Sequence, residues 1–252
     1  MKNYILRIGW LYPDLMNTYG DRGNIIVLHK RSLWRGIKVE IKRISLEQKK
    51  EEITDCDLLF MGGAQDIQQE IVNKDLFSGK GKMIVQAVNN DIPALFICGA
   101  YQFMGKFYKT ADGKKLPCLG LFDLYTENPG LNKKRLIGNI LIKRNVKTQI
   151  SNIRFVGFEN HGGRTYLGDK TQAFAEVFKG YGNNGEDRTE GMIYKNAIGT
   201  YLHGPILPKN PELADWLIKK ALEKKFKEKV ELKQLNDELE YKARENVMKS
   251  RL

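Results

Sequence analysis

A cysteine standing where an apolar run gives way to small residues is a candidate nucleophile, and "PALFICGAYQFMG" puts Cys98 in that position. A sharp strand–nucleophile–helix turn needs small neighbours, which Gly99 and Ala100 provide, and a helix N-terminus behind the sulfur stabilises a thiolate. An arbitrary cysteine is more often a buried structural thiol; here position and flanks favour the nucleophile. Such a thiol needs a base, and the chain has three histidines. His29 falls inside a helical pattern and reads as a surface or packing residue. His203, in "GTYLHGPIL", sits just past an apolar strand and before Gly204-Pro205, so its strand-end placement matches that of Cys98. His161, in the glycine-containing loop "GFENHGGRT", is the second choice.

The elements that must hold these residues are legible from periodicity. Residues 3–12 read as a buried first strand ended by Pro13. "GNIIVLHKRSLWRG" is helical, with Ile25, Leu28, Leu33 and Trp34 near one face and Gly36 as its stop. "IKVEIKRI" alternates like a strand exposed on one side, and "CDLLFMGG" suits an interior parallel strand. Helices are expected from about Gln65 and over roughly 80–90, followed by the interior strand "IPALFI" running into Cys98. Strands alternating with helices predict a mostly parallel α/β sheet flanked by helices, with ligands gathered at the carboxyl ends of the strands. After residue 115 the segments "LGLFDLYTE", "RLIGNILIKRN", "IRFVGFEN" and "GMIYKNAIGTYLHG" are β-like and are expected to complete or extend that sheet. "NPELADWLIKKALEKKF" is an amphipathic helix, and Leu232, Leu235 and Leu239 predict a last helix. The expected organisation is one domain over 1–225 and a C-terminal helical extension over 226–252.

Composition narrows the function classes. A chain of 252 residues with 42% hydrophobic and 29% charged residues is ordinary for a globular protein with a sizeable core. No stretch approaches the roughly 20 apolar residues of a bilayer span. The start, "MKNYILRIGWLYPDL", lacks the pattern of a signal peptide. Three cysteines without metal-ligand spacing fit reduced thiols, and a cytoplasmic location is expected. The net charge of +12 invites a nucleic-acid reading. The basic residues are scattered, however, and mixed with acids toward the C-terminus. A solvated basic surface is the better reading, with no nucleic-acid partner and no integral membrane segment.

Taken together, "PALFICGAYQFMG" and "GTYLHGP" resemble the nucleophile and histidine motifs of class I glutamine amidotransferases of the cobyric acid synthase-like branch. "LYPDLMNTYGDRGNI", "MGGAQD", "RLIGN", "GFENHGGRTYLG" and "GYGNN" extend the resemblance over about residues 5–220, toward the glutaminase subunits of lipid II isoglutaminyl synthases. The resemblance implies a single flavodoxin-like amidotransferase domain in which Cys98 forms a γ-glutamyl thioester and His203 is its base. Backbone N–H groups near Gly63 and of Gly99 would form the oxyanion hole. Gln102 would line the substrate site, and Arg135 would hold the substrate carboxylate, as a bidentate guanidinium can. The implied partners are L-glutamine and a Mur-ligase-like synthetase subunit, which uses ATP and handles lipid II at the inner face of the membrane.

Departures from the family pattern carry expectations of their own. Phe96 and Ala100 stand where the usual elbow has glycine. Pro205 stands where the usual triad has glutamate, so a third carboxylate is expected from the partner, with Glu159 as the internal rival. The chain has no phosphate-binding loop for activating a carboxylate, so no cofactor is expected in it. The alternatives are an amidotransferase subunit serving another synthetase, such as a cobyric acid type, a stand-alone cysteine hydrolase, or a non-catalytic regulatory module.

Overall fold

The computed structural model describes residues 4–144, 153–169 and 171–249. In chain order the strands are β1 (Ile5–Leu11), β2 (Lys38–Ile44), β3 (Leu58–Met61), β4 (Ala94–Ile97), β5 (Phe107–Lys109), β6 (Lys115–Pro117), β7 (Leu124–Glu127), β8 (Leu136–Lys143), β9 (Arg154–His161), β10 (Arg164–Leu167), β11 (Ala175–Lys179), β12 (Thr189–Glu190), β13 (Met192–Tyr194) and β14 (Ala197–Thr200). The helices are α1 (Arg22–Leu33), α2 (Asp66–Asp75), α3 (Gly81–Asn89), α4 (Gly99–Phe103), α5 (Pro211–Phe226) and α6 (Glu238–Lys249).

A six-stranded sheet in the order β13-β14-β4-β3-β1-β2 forms the centre. All of its pairings are parallel except β13 with β14. The fully buried runs "LLFM" of β3, "ALFI" of β4 and "AIGT" of β14 occupy its middle, as expected for strands covered on both faces. Strand β2, at the edge, mixes half-buried and exposed positions and buries only Ile44. The adjacent carboxyl ends of β4 and β14 present Cys98 and residues 201–203 side by side. The Cys98 N–H donates to the Thr200 carbonyl at 2.8 Å, locking the two strand ends together.

Three expectations are corrected. The later strands do not all extend the central sheet: only β13 and β14 join it. Strands β10-β7-β5-β6 and β12-β11-β8-β9 form two further sheets, antiparallel except for β5 with β7. Periodicity marks a segment as a strand but leaves its partner open, and short hairpins pair locally. On α1, Ile25 and Leu28 are buried whereas Leu33 and Trp34 face solvent, because Trp34 already lies beyond the last helical turn. The last helix begins only at Glu238. Leu232 and Leu235 belong to the non-helical segment before it, and Leu239 is exposed.

That C-terminal segment is fastened by Val230, buried in the core, with Leu232 packed against it, and by charge. The buried Arg31 guanidinium of α1 bonds both Asp215 and Asp237 at 2.5–3.0 Å. Arg35 forks onto Asp215, and Arg244 of α6 forks onto Glu212. Planar guanidinium–carboxylate pairs of this kind fix direction as well as distance.

Candidate active site

Cys98 adopts φ 52°, ψ −106°, the left-handed half of backbone space that a residue with a Cβ avoids. A conformation of this kind costs about 1–3 kcal/mol and persists where surrounding structure imposes it. Here the strand–helix turn from β4 into α4 imposes it and lifts the sulfur out of the sheet. Cys56 and Cys118 have no such geometry; burial pushes both thiols up to about 12.

His203 is fully buried. Its backbone forms an antiparallel bridge with Phe158 of β9, and Tyr19 stands edge-on to its ring at 5.1 Å. Its Nδ1 donates to Asp21 Oδ1 at 3.1 Å. Burial alone would pull the imidazole down, but the Asp21 carboxylate and the Cys98 sulfur outweigh it and push His203 up to about 10. Among the described residues its Nε2 has no partner other than the neighbouring sulfur. Cys98, His203 and Asp21 therefore stand together as a thiol, an imidazole and a carboxylate bonded to it.

The expectation is a carboxylate from the partner; within this chain Asp21 already stands at His203 Nδ1. It comes from the residue before α1 rather than from two residues past the histidine, where Pro205 packs onto Gly23. An aspartate just before a helix most often caps it. The side chain makes no capping bond; it is buried and points away from the helix to His203 and to Gly63. Glu159, the internal rival, is occupied elsewhere. Its two oxygens accept the Tyr181 and Gly182 N–H groups at 2.7 and 2.9 Å.

The glycines are explained by close approach. A Cβ on Gly63 would lie 2.7 Å from His203 Cε1 and 3.2 Å from Cys98 Cβ, and one on Gly99 would lie 2.7 Å from Gln69 Nε2. Of the N–H groups near Gly63, that of Gly63 itself is engaged, donating to Asp21 Oδ2 at 2.7 Å. Among the described residues the next amide, Ala64 N–H, donates to no protein acceptor. It lies close to Gly99, within 3.2 Å of where a Gly99 Cβ would be. The two free N–H groups available for an oxyanion are thus those of Ala64 and Gly99, the latter at the first turn of α4.

An open pocket of about 480 Å³ lies over the sulfur. Cys98, Gln102, Arg135 and His161 all line it, as do Asp66 and Gln69, which sequence reasoning had not singled out. Arg135 is oriented by Asn160, donating to its side-chain oxygen and its carbonyl at 2.8 Å each. Gln102 reaches the pocket wall, but its amide is engaged at both ends. Its Nε2 donates to the Tyr201 hydroxyl and its Oε1 accepts from Gln69, each at 3.1 Å. His161 closes β9 rather than sitting in a loop and stacks on Tyr201 at 3.7 Å. Burial pulls its imidazole below the ordinary value, more than Glu159 raises it.

Fold and site define a class. Residues 7–211 match the model of the CobB/CobQ-like glutamine amidotransferase domain, and the chain belongs to that family. It is 44% identical over 240 residues, covering 95% of this chain and 93% of the relative, to the lipid II isoglutaminyl synthase (glutamine-hydrolyzing) subunit GatD of Staphylococcus aureus. The GatD subunit of Streptococcus pneumoniae is 40% identical, over 93% of this chain and 87% of its own. Among solved structures, the glutaminase domain of Trypanosoma brucei CTPS with bound acivicin superposes with a TM-score of 0.57 at 13% identity, over 91% of this chain and 97% of that one. That likeness shows the shared fold.

Proposed function

We propose that this chain is the glutaminase subunit of a lipid II isoglutaminyl synthase, hydrolysing L-glutamine to glutamate and ammonia. The observation that carries the reading is the Cys98–His203–Asp21 constellation at the base of a pocket that also holds Arg135. The two GatD relatives support the particular synthase. The ammonia would pass to a Mur-ligase-like (MurT-type) synthetase subunit. That partner would activate the α-carboxyl of D-glutamate in the lipid II stem with ATP and convert it to D-isoglutamine. Such a role places the chain in the cytoplasm, at the inner face of the membrane, through its partner. Among the described residues no helix is long and apolar enough to cross a membrane. The chain itself would need no cofactor.

The chemistry follows from the geometry. A protonated imidazole beside a sulfur is the arrangement that stabilises a thiolate nucleophile. The thiolate attacks the γ-carbonyl carbon of glutamine and forms a C–S bond. The charge developing on the carbonyl oxygen is met by the Ala64 and Gly99 N–H groups. As the tetrahedral intermediate collapses, the C–N bond breaks and His203 gives its proton to the departing ammonia. Water, deprotonated by the now neutral His203, then attacks the thioester carbonyl; the C–S bond breaks, thiolate and protonated His203 are restored, and glutamate leaves. Asp21 keeps the Nδ1 proton in place throughout, so that Nε2 faces the reaction. Arg135, the guanidinium lining the pocket, suits the α-carboxylate of the amino acid. Asp66, the one carboxylate among the lining residues, suits its α-ammonium.

Ammonia and glutamate release from glutamine, measured on the chain with its synthetase partner, tests the reading. Release that disappears in Cys98→Ala is expected; undiminished release from that variant overturns it.

A further inference from the structure

The turn that delivers Asp21 also brings an aromatic ring to the same imidazole. Tyr19, two residues earlier, adopts φ 55°, ψ 28°, and Gly20 follows at φ 78°. Left-handed backbone suits Gly20 but strains a residue with a Cβ, and such outliers gather at functional sites. The turn is held in this shape at both ends. Thr18 N–H donates to the Gly63 carbonyl at 3.1 Å, and Arg22 N–H donates to Asn17 Oδ1 at 2.7 Å. The Tyr19 ring thereby stands edge-on to His203 at 5.1 Å and to Phe158 at 6.3 Å. The polar edge of the imidazole is taken up by other groups. Asp21 bonds Nδ1, Cys98 faces Nε2, and the Gly63 backbone lies against Cε1, where a Cβ would come within 2.7 Å. Gly63, Asp21 and Cys98 are buried, whereas Tyr19 is 45% exposed and lines the pocket over the sulfur.

We propose that Tyr19 is a positioning residue: its ring covers the solvent side of the His203 imidazole and keeps water from the His203–Asp21 and His203–Cys98 pairs. Its effect on turnover rests on the glutaminase reading above; its effect on the imidazole does not. Charges a few ångströms apart attract several-fold more strongly where water is excluded. The titratable side chains that act on the ring are Asp21 and Cys98, and its other neighbours, Gly63 and Phe158, carry no charge. Burial opposes the charge on the imidazole, the two attractions favour it, and the attractions prevail. Water admitted beside the ring weakens all three together, so the imidazole returns toward its ordinary proton affinity. The sulfur then loses its cationic neighbour at a lower pH. A glycine at position 19 would take the same backbone without strain but would bring no ring. The strain is thus the cost of placing an aromatic side chain over the proton carrier.

The test follows the His203 ring itself, by NMR titration of the full chain labelled at its histidines. In the unsubstituted chain the imidazole holds its proton up to about pH 10. Tyr19→Ala should lower that midpoint by about one pH unit or more, whereas Tyr19→Phe, which keeps the ring, should leave it within about 0.3 of a unit. Tyr19→Gly removes the ring and relieves the left-handed strain as well, and should lower the midpoint as far as Tyr19→Ala. An unmoved midpoint in both, or an equal fall in Tyr19→Phe, would overturn the proposal. A fall in Tyr19→Ala that Tyr19→Gly does not share would trace the effect to the backbone of the turn and overturn it too. Turnover with the synthetase partner is the second readout. Tyr19→Ala should lower kcat for glutamine about tenfold with KM within about threefold, and Tyr19→Phe should recover most of the loss. A raised KM with unchanged kcat would make Tyr19 a substrate contact instead, which also overturns the proposal. If the unsubstituted complex releases no ammonia while the midpoints move as expected, the glutaminase reading fails and the cover over His203 stands.

Discussion

His203 and His161 are both buried, both lie against a tyrosine ring and both have a carboxylate nearby, yet their imidazoles are driven in opposite directions. The difference lies in what each carboxylate is free to do. Asp21 gives one oxygen to Gly63 N–H and the other to His203 Nδ1 at 3.1 Å, so its charge reaches the ring directly. Glu159 gives both oxygens to the Tyr181 and Gly182 amides and stands 3.8 Å from His161 Nε2. His161 in turn donates its Nδ1 proton to the Gly163 carbonyl at 2.8 Å, which an uncharged ring can do. Proximity of an acid to a histidine is therefore not enough: the acid must have an oxygen left for it. One histidine is built to carry a proton, the other to pack neutral against Tyr201 and support the pocket wall.

The largest effect expected from breaking this contrast is at the proton carrier itself. His203→Gln should lower glutamine turnover by about 10²–10⁴-fold, the usual contribution of a positioned acid–base group. His161→Gln should cost less than about tenfold, since it removes only packing and a pocket edge. Steady-state ammonia release from the two variants checks the pair, and equal losses would erase the distinction.

Asp21→Asn comes next. It keeps the shape but weakens the hold on the Nδ1 proton, and comparable changes in hydrolytic triads cost up to about 10⁴-fold in kcat. The loss should be the same with and without the synthetase partner, because the carboxylate belongs to this chain. Glu159→Gln should leave kcat within about threefold while lowering stability by about 1–3 kcal/mol through the two amides it satisfies. A collapse of kcat in Glu159→Gln alongside a mild Asp21→Asn would reverse the assignment.

A smaller effect is expected at the pocket's charged wall. Arg135→Lys should raise KM for glutamine with little change in kcat, because a point charge cannot reproduce the bidentate fork. Kinetics with glutamine as the varied substrate give the split directly.

The smallest effects are in the pH dependence of stability. Folding raises His203 from its ordinary 6.5 to about 10, so the folded state holds this proton more tightly. The stability gained is present in full below about pH 6.5 and is lost as pH rises through about 10. Thermal unfolding of the unsubstituted chain and Asp21→Asn should therefore converge as pH climbs across that window. Glu190 has the same sign in a lower window: burial, more than its bonds to Thr200 and the Tyr201 amide lower it, pushes it up to about 8. Its contribution is lost as pH rises from about 4.5 through 8. Glu190→Gln should flatten that slope, and an unchanged slope would show that the carboxyl does not titrate there.

What local pattern could encode was legible before any fold was known. Fully apolar runs ending in small residues marked β3 and β4 as interior strands, and a cysteine followed by Gly99 and Ala100 marked the elbow. A histidine just past an apolar strand and before Gly204-Pro205 put His203 at a matching strand end. These signals are short-range, because strand periodicity and turn chemistry act within a few residues. The separate antiparallel sheets were not legible, since a β-like segment does not state its partner.

The sequence by itself determined the order of the central strands and helices, the two residues at their carboxyl ends, and the family pattern of motifs around them. Only the tertiary structure decided the rest of the site. Asp21 and His203 are 182 positions apart, and nothing in "TYGDRGN" distinguishes a carboxylate that caps its own helix from one that turns away to a distant imidazole. The direction of the Gly63 N–H, the engagement of Glu159 and the Tyr19 ring against His203 are likewise settled by which groups the packed fold brings together. Periodicity and capping preference arise from a residue's immediate neighbours, whereas the fate of a buried donor or acceptor depends on whatever the whole fold brings within 3 Å of it.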